Sequence, residues 1–129
     1  KDGTIDCLAT DHAPHTPEDK ANGMAGISNI EYAFQIYLKV FEENGIPLTR
    51  LSQMLSHNPA KRLGIKAGLF QPGYAADVTA LSVEEESEID SLRMISRSHN
   101  TPFDGRKVMG RVLRTVIDGE TRYEYSAAI

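Results

Sequence analysis

The first apolar run of the chain, Ile5-Asp6-Cys7-Leu8-Ala9-Thr10, ends in the polar cluster Asp11-His12-Ala13-Pro14-His15. This is the pattern of a buried strand whose C-terminal end opens into a loop. The stretch from Thr16 to Gly26 mixes Pro17, Gly23 and Gly26 with charged and small residues, so a long loop is expected beside the strand end. Ser28 or Asn29 can cap a helix, and Ile30, Ala33, Phe34, Tyr37, Leu38 and Phe41 then recur at three- and four-residue spacing to a stop at Asn44-Gly45. Thr49 begins a second short helix through Leu51, Met54 and Leu55. Asn58-Pro59 begins a third, with proline at its first helical position and Gly64 at its end.

After Gly68 the pattern changes period. Gly73 to Asp77 reads as a turn, Val78 to Ser82 as a strand, and Glu84 to Glu88 as a solvated acidic segment. Val108, Val112-Leu113, Thr115-Val116-Ile117 and Thr121-Arg122-Tyr123 flank Asp118-Gly119, a two-residue hairpin signal. Two regions are therefore expected, a strand, loop and helices over 1–66 and a small β unit over 67–129. No internal repeat or low-complexity tract is present.

Composition narrows the class. With 129 residues, 40% hydrophobic and 25% charged, the balance is that of an ordinary globular domain. The net charge of −4, with both signs scattered, argues against a nucleic-acid surface, which shows a basic stripe. No apolar run reaches the roughly 20 residues that span a bilayer. The expected location is cytoplasmic, with neither membrane nor nucleic acid as partner. Cys7 is the single cysteine, which excludes an internal disulfide and a thiolate metal cluster; it reads as a small buried apolar residue. A strand with nothing in front of it looks like the middle of a longer chain, so a fragment is expected.

Candidate chemistry concentrates between Thr10 and Gly26. An aspartate at the mouth of a buried strand can ligate a metal through one oxygen and accept a proton from metal-bound water through the other. Asp11 has that place, but the same residue can simply cap a loop. His12 and His15 lie three apart across a proline, which makes them weak as a metal pair. His15 is free to offer a ring N–H to an anion, whereas His12, nearer the strand, reads as a packed histidine hydrogen-bonded to backbone. Ala25-Gly26 either presents backbone N–H groups to a ligand or forms an ordinary turn.

The run from Ile5 to Thr16 resembles the last barrel strand of bacterial dihydroorotases of the type related to hydantoinases. Ala25-Gly26-Ile27 with Glu31 and Ala33-Phe34 resembles that family's substrate loop and following helix. Asn58-Pro59-Ala60, Leu63-Gly64, Gly68, Gly73 and Ala76-Asp77-Val78 are similar to its passage from barrel to β-sandwich. Asn100-Thr101-Pro102-Phe103, Gly105, Gly110 and Thr115 to Gly119 are similar to its C-terminal strands.

The resemblance implies an α/β fold: the last strand-loop-helix portion of a metal-dependent (β/α)8 amidohydrolase barrel over 1–66, followed by strands of a small β-sandwich over 67–129. It implies zinc, one or two ions in the complete enzyme, and interconversion of N-carbamoyl-L-aspartate and L-dihydroorotate in pyrimidine biosynthesis. Asp11 then ligates metal and shuttles the proton. His15, Ala25 and Gly26 bind substrate, His15 through its carboxylate. The family's early His-x-His motif, bridging carboxylate or carboxylated lysine, and two later metal histidines are absent here; they are expected upstream of Lys1. The chain alone is therefore expected to be inactive, with the remainder of the barrel and a homodimer mate as its protein partners. The rival readings are another cyclic amidase (hydantoinase, dihydropyrimidinase or allantoinase) and a non-catalytic structural homologue.

Overall fold

The computed structural model describes residues 2–126; residue 1 and residues 127–129, the outermost ends of the two expected regions, lie outside the described residues. Four α-helices, α1 (Pro17–Ala21), α2 (Ala33–Glu43), α3 (Leu48–Ser52) and α4 (Asn58–Leu63), precede an antiparallel sheet of β1 (Val78–Glu88), β2 (Lys107–Ile117) and β3 (Glu120–Glu124), in that order. The result is α/β in content, with its helices and strands segregated along the chain.

Leu38 and Phe41 of α2, Leu51 of α3 and Met54 form the buried centre, with Leu8, Phe34, Tyr37, Ile46, Leu55, Val83 and Met109 packed around them. The three- and four-residue spacing read from the sequence does put Leu38 and Phe41 inside, while Ile30, before α2, stays exposed. Each fully buried side chain of this size contributes roughly 1.5–3 kcal/mol by leaving water. The same core joins α2 to the sheet. There β1 and β2 slip register between Ser82 and Glu86, opposite Met109 to Arg111, and Gly110 lies buried between them at φ +89°. A β-carbon at Gly110 would fall 2.8 Å from Leu38 Cδ2 and 2.9 Å from Phe34 Cε1, so α2 rests directly on this bulge.

Several local expectations need correction. Ile5 to Thr10 is not a paired strand, because a ladder needs a neighbouring edge and none is present among the described residues. Several of its backbone groups are satisfied from the helices and from Asn29 instead. Leu8 N donates to Met54 O (3.1 Å), while Arg50 Nη2, Asn58 Nδ2, Tyr37 Oη and Asn29 Nδ2 donate to the carbonyls of Ile5, Asp6, Ala9 and Thr10. Cys7 on this segment is only half-buried.

The expected Thr16 to Gly26 loop contains helix α1. Thr16 Oγ1 accepts from Asp19 N and Asp19 Oδ2 accepts from Thr16 N, a capping box, with Pro17 at the first helical position. The second and third expected helices run on from α3, which starts at Leu48, through a π turn at Gln53–His57 into α4. Pro59 has no N–H to give an α-helical bond, and a wider turn ahead of it accommodates that loss. Gly64 ends α4 in the left-handed conformation, as its position predicts.

In the sheet, β1 runs beyond Ser82 through the acidic residues. Glu84, Glu86 and Glu88 point to solvent, so the solvated reading holds, but within a strand. Glu85 pairs with Arg111 at 2.7 Å and Glu86 with Lys107 at 3.3 Å, which holds this end of β1 against β2. Asp118 (φ 52°) and Gly119 (φ 78°) close the expected hairpin between β2 and β3; two positive φ values in succession are the turn geometry that matches strand twist.

Candidate functional site

Two segments meet at the start of α2. Residues 10–15 run beside residues 25–29, joined by Ala13 N donating to Ile27 O at 3.0 Å and by a parallel bridge between His12 and Ile27. Asn29 Nδ2 donates to Thr10 O at 2.8 Å. The chain thus brings Asp11 and His15 onto the segment that faces Ala25 and Gly26.

Asp11 is exposed and holds φ at +48°, one of two described non-glycine residues with positive φ. A non-glycine residue in that region carries backbone strain, which aspartate tolerates better than most. Its carboxylate has no hydrogen-bond partner among the described residues, so both oxygens are available. His15 is half-buried, its ring packed beside Gly26: a β-carbon at Gly26 would lie 3.0 Å from His15 Cδ2. His15 Nδ1 is 3.9 Å from Asp19 Oδ2. The Asp19 carboxyl is held below its ordinary value of 3.8, chiefly by the Thr16 side-chain hydrogen bond, then by the Thr16 backbone, with a smaller contribution from His15.

Gly26 is where the two segments touch. Its φ of +130° and the Ala13 Cβ and O atoms, 2.7 and 2.8 Å from where a β-carbon would stand, leave room for glycine alone. Its carbonyl accepts from Lys20 Nζ and Asn100 Nδ2, each at 3.0 Å. Lys20 Nζ also donates to Met24 O at 2.6 Å, and Ser28 N donates to Asn100 O at 2.7 Å. Ala25 is exposed between these anchors. Glu31 accepts from Ile95 N and Ser96 N, which docks residues 91–100 beside the same loop.

Lys20 is not among the residues that the sequence singles out, although the Thr16-x-x-Asp19 pattern that starts α1 is visible there and places Lys20 on that helix. The sequence also points to Ser28 or Asn29 as the cap of the helix that follows. Neither side chain caps; Ser28 is fully buried with Oγ unpartnered. Nδ1 of His12 accepts from Asn29 N at 3.1 Å and Ile30 N at 3.3 Å instead, so His12 does hydrogen-bond to backbone as its place near the strand suggested.

Among the described residues no three His, Cys, Asp or Glu side chains gather where they could hold a metal ion. An open carboxylate at Asp11 fits one ligand position of a hard or borderline cation, and among the described residues no complete ligand set accompanies it. A cleft of about 430 Å³ lies elsewhere, lined by Ile5, Leu8, Phe41, Ile46, Arg50 and Met54 with Asp2 and Thr4; none of Asp11, His15, Ala25 or Gly26 borders it. No described helix is long and apolar enough to cross a membrane.

The fold that carries this site has close counterparts among known proteins. The family model described as "Amidohydrolase family" matches residues 1–122, and the chain belongs to that family. Among its relatives, the dihydroorotase of Clostridium botulinum (strain Eklund 17B / Type B) is 40% identical over 125 residues, covering 96% of this chain and 31% of that protein. The dihydroorotase of Bacillus cereus (strain B4264) is 41% identical over 133 aligned positions, 99% of this chain and again 31% of the relative. The chain thus spans about a third of the length of these relatives. An L-hydantoinase (dihydropyrimidinase) from Arthrobacter aurescens superposes with a TM-score of 0.89 at 28% identity, over 98% of this chain and 30% of that one. A D-hydantoinase from Thermus sp. has the same fold, with a TM-score of 0.86 at 23% identity over 95% and 29%.

Proposed function

We propose that this chain is the dihydroorotase segment that supplies the proton-shuttling carboxylate and the substrate loop of a cyclic amide hydrolase acting on L-dihydroorotate and N-carbamoyl-L-aspartate. The observation that carries the reading is the joining of residues 10–15 to residues 25–29, which sets an unpartnered carboxylate at Asp11 and an imidazole at His15 along one tied surface. Identity of 40–41% to dihydroorotases over almost the whole chain favours this substrate over the hydantoins, for which the structural relative is 28% identical.

In this reading Asp11 accepts a proton from the attacking water and returns it to the ring nitrogen as the amide C–N bond breaks; cyclisation reverses the two transfers. His15 donates a ring N–H to the substrate carboxylate, which is remote from that bond, and backbone at Ala25 and Gly26 completes the contact. Asp11 also provides one ligand to zinc, which when bound supplies Lewis acidity toward the scissile carbonyl. The remaining ligands belong to residues outside this chain.

Residues 1–66 correspond, on the same proposal, to the end of a (β/α)8 barrel and 67–129 to strands of a β-sandwich. Two features support the assignment: an unpaired segment at Ile5 to Thr10, and the apolar cleft at Ile5, Leu8, Phe41 and Met54, where a preceding barrel strand would pack. Pyrimidine biosynthesis is the setting that the relatives' name suggests, and a cytoplasmic homodimer is part of the same proposal.

The test is steady-state hydrolysis of dihydroorotate by the full-length protein, as parent and as His15→Ala. Dihydrouracil, a cyclic amide without the carboxylate, serves as the second substrate. Selective loss on dihydroorotate is expected. Equal loss on both substrates would move His15 into the metal shell or the core, and a parent that prefers dihydrouracil would assign the site to a hydantoinase-like reaction.

A further inference from the structure

Asp11 holds φ at +48°, a left-handed conformation that costs some backbone strain even for aspartate, so the contacts around it must help to keep it there. The contacts that bracket it are few. Before it, Thr10 O is held by Asn29 Nδ2 at 2.8 Å. After it, His12 N reaches Thr10 Oγ1 at 3.3 Å and Ala13 N reaches Ile27 O at 3.0 Å. The remaining tie is the His12 ring, whose Nδ1 accepts from Asn29 N and Ile30 N at 3.1 and 3.3 Å.

Those two amides open the helical segment that runs through the 3-10 turn at Ile30–Tyr32 into α2, and they have no acceptor within it. An acceptor Nδ1 carries no proton, so the neutral ring is fixed as its Nε2–H tautomer. Helix α2 is in turn anchored on the sheet bulge at Gly110. A continuous path therefore runs from a rigid element to the residue next to Asp11.

We infer that His12 is a positioning residue: by capping the 3-10 turn that leads into α2 through Nδ1, it holds Asp11 in its left-handed turn and so aims the carboxylate. The inference rests on the proposed role of Asp11 as proton shuttle. It assigns His12 no contact with substrate or metal. Displacing a catalytic group by about 1 Å can cost 10²-fold in rate, which sets the scale of the effect.

The experiment uses the full-length enzyme carrying His12→Ala, His12→Asn and His12→Gln. Asparagine places its Oδ1 where Nδ1 stands and can accept the same two N–H groups, whereas glutamine carries its acceptor one atom further out. His12→Ala is expected to lower kcat roughly ten- to hundredfold with KM for dihydroorotate changed less than about threefold. His12→Asn should recover most of kcat and His12→Gln should not. A crystal structure of His12→Ala, which needs no activity, should show Asp11 out of the left-handed region. Parent-like kcat in His12→Ala, equal losses in Asn and Gln, or Asp11 still at positive φ in the His12→Ala crystal would each overturn the inference. A parent without cyclic amidase activity would instead sink the proposed function, and the crystal structure alone would then decide the role of His12. Should His12→Ala fail to fold, the contrast between Asn and Gln decides it.

Discussion

Gly26 stands so close to Ala13 that a β-carbon on it would come within 2.7 Å of the Ala13 Cβ, and this contact sets the spacing of the two segments that make the site. Gly26→Ala should therefore force the loop off residues 10–15 while also straining φ +130°. Overpacking of this kind costs about 1–3 kcal/mol. Thermal unfolding of the full-length variant should show that loss, with a raised KM for dihydroorotate because the Ala25 and Gly26 backbone has moved. An unchanged melting temperature and KM would mean that the loop is not pinned at this contact.

Helix α1 should respond to acid through Asp19. The folded carboxyl titrates below 3.8, mainly because Thr16 donates to it, so its stabilising contribution is complete above the unfolded value and is lost as pH falls through the folded one. An NMR titration of the Asp19 carboxyl should give a midpoint under 3.8, and Thr16→Ala should raise it toward 3.8. A midpoint indifferent to Thr16→Ala would leave the Thr16 backbone N–H, and not its side chain, as the group that holds the carboxyl down.

Legibility from sequence followed the range of the interactions. The hairpin at Asp118-Gly119, the stop at Gly64 and the buried pair Leu38 and Phe41 depend on local backbone preference or helical period, and these were readable. The pairing of Ile5 to Thr10 was not, because an apolar run specifies burial but a strand also needs a neighbour. At the site, Asp11 and His15 stood out by residue type and resemblance. His12 as the cap of the 3-10 turn before α2, and Lys20 and Asn100 as clamps on Gly26, join residues 6 to 74 positions apart. Contacts of that range leave no periodicity behind.

The 129-residue chain by itself should not turn over dihydroorotate when zinc is added. Catalytic zinc is held by about three protein ligands, and among the described residues no three His, Cys, Asp or Glu side chains gather to supply them. Zinc-dependent turnover by the purified chain, persisting after host dihydroorotase has been eliminated, would show that the ligand set has been misjudged.

His15→Ala in the full-length enzyme should act mainly through KM, since the substrate carboxylate it is proposed to hold changes little between ground and transition states. A charge-assisted hydrogen bond is worth roughly 1.5–3 kcal/mol, so kcat/KM for dihydroorotate should drop by about tenfold to more than a hundredfold. A drop confined to kcat would place His15 at the reacting bond.

The central claim is that Asp11 moves the proton in opening the dihydroorotate ring, and the most direct measurement is kcat of the full-length enzyme as parent and as Asp11→Asn. The amide has nearly the same shape but cannot accept the proton, so kcat should fall ~10²–10⁴-fold while the melting temperature stays close to the parent's. A kcat within a few-fold of the parent's, in a protein that hydrolyses dihydroorotate, would contradict the account.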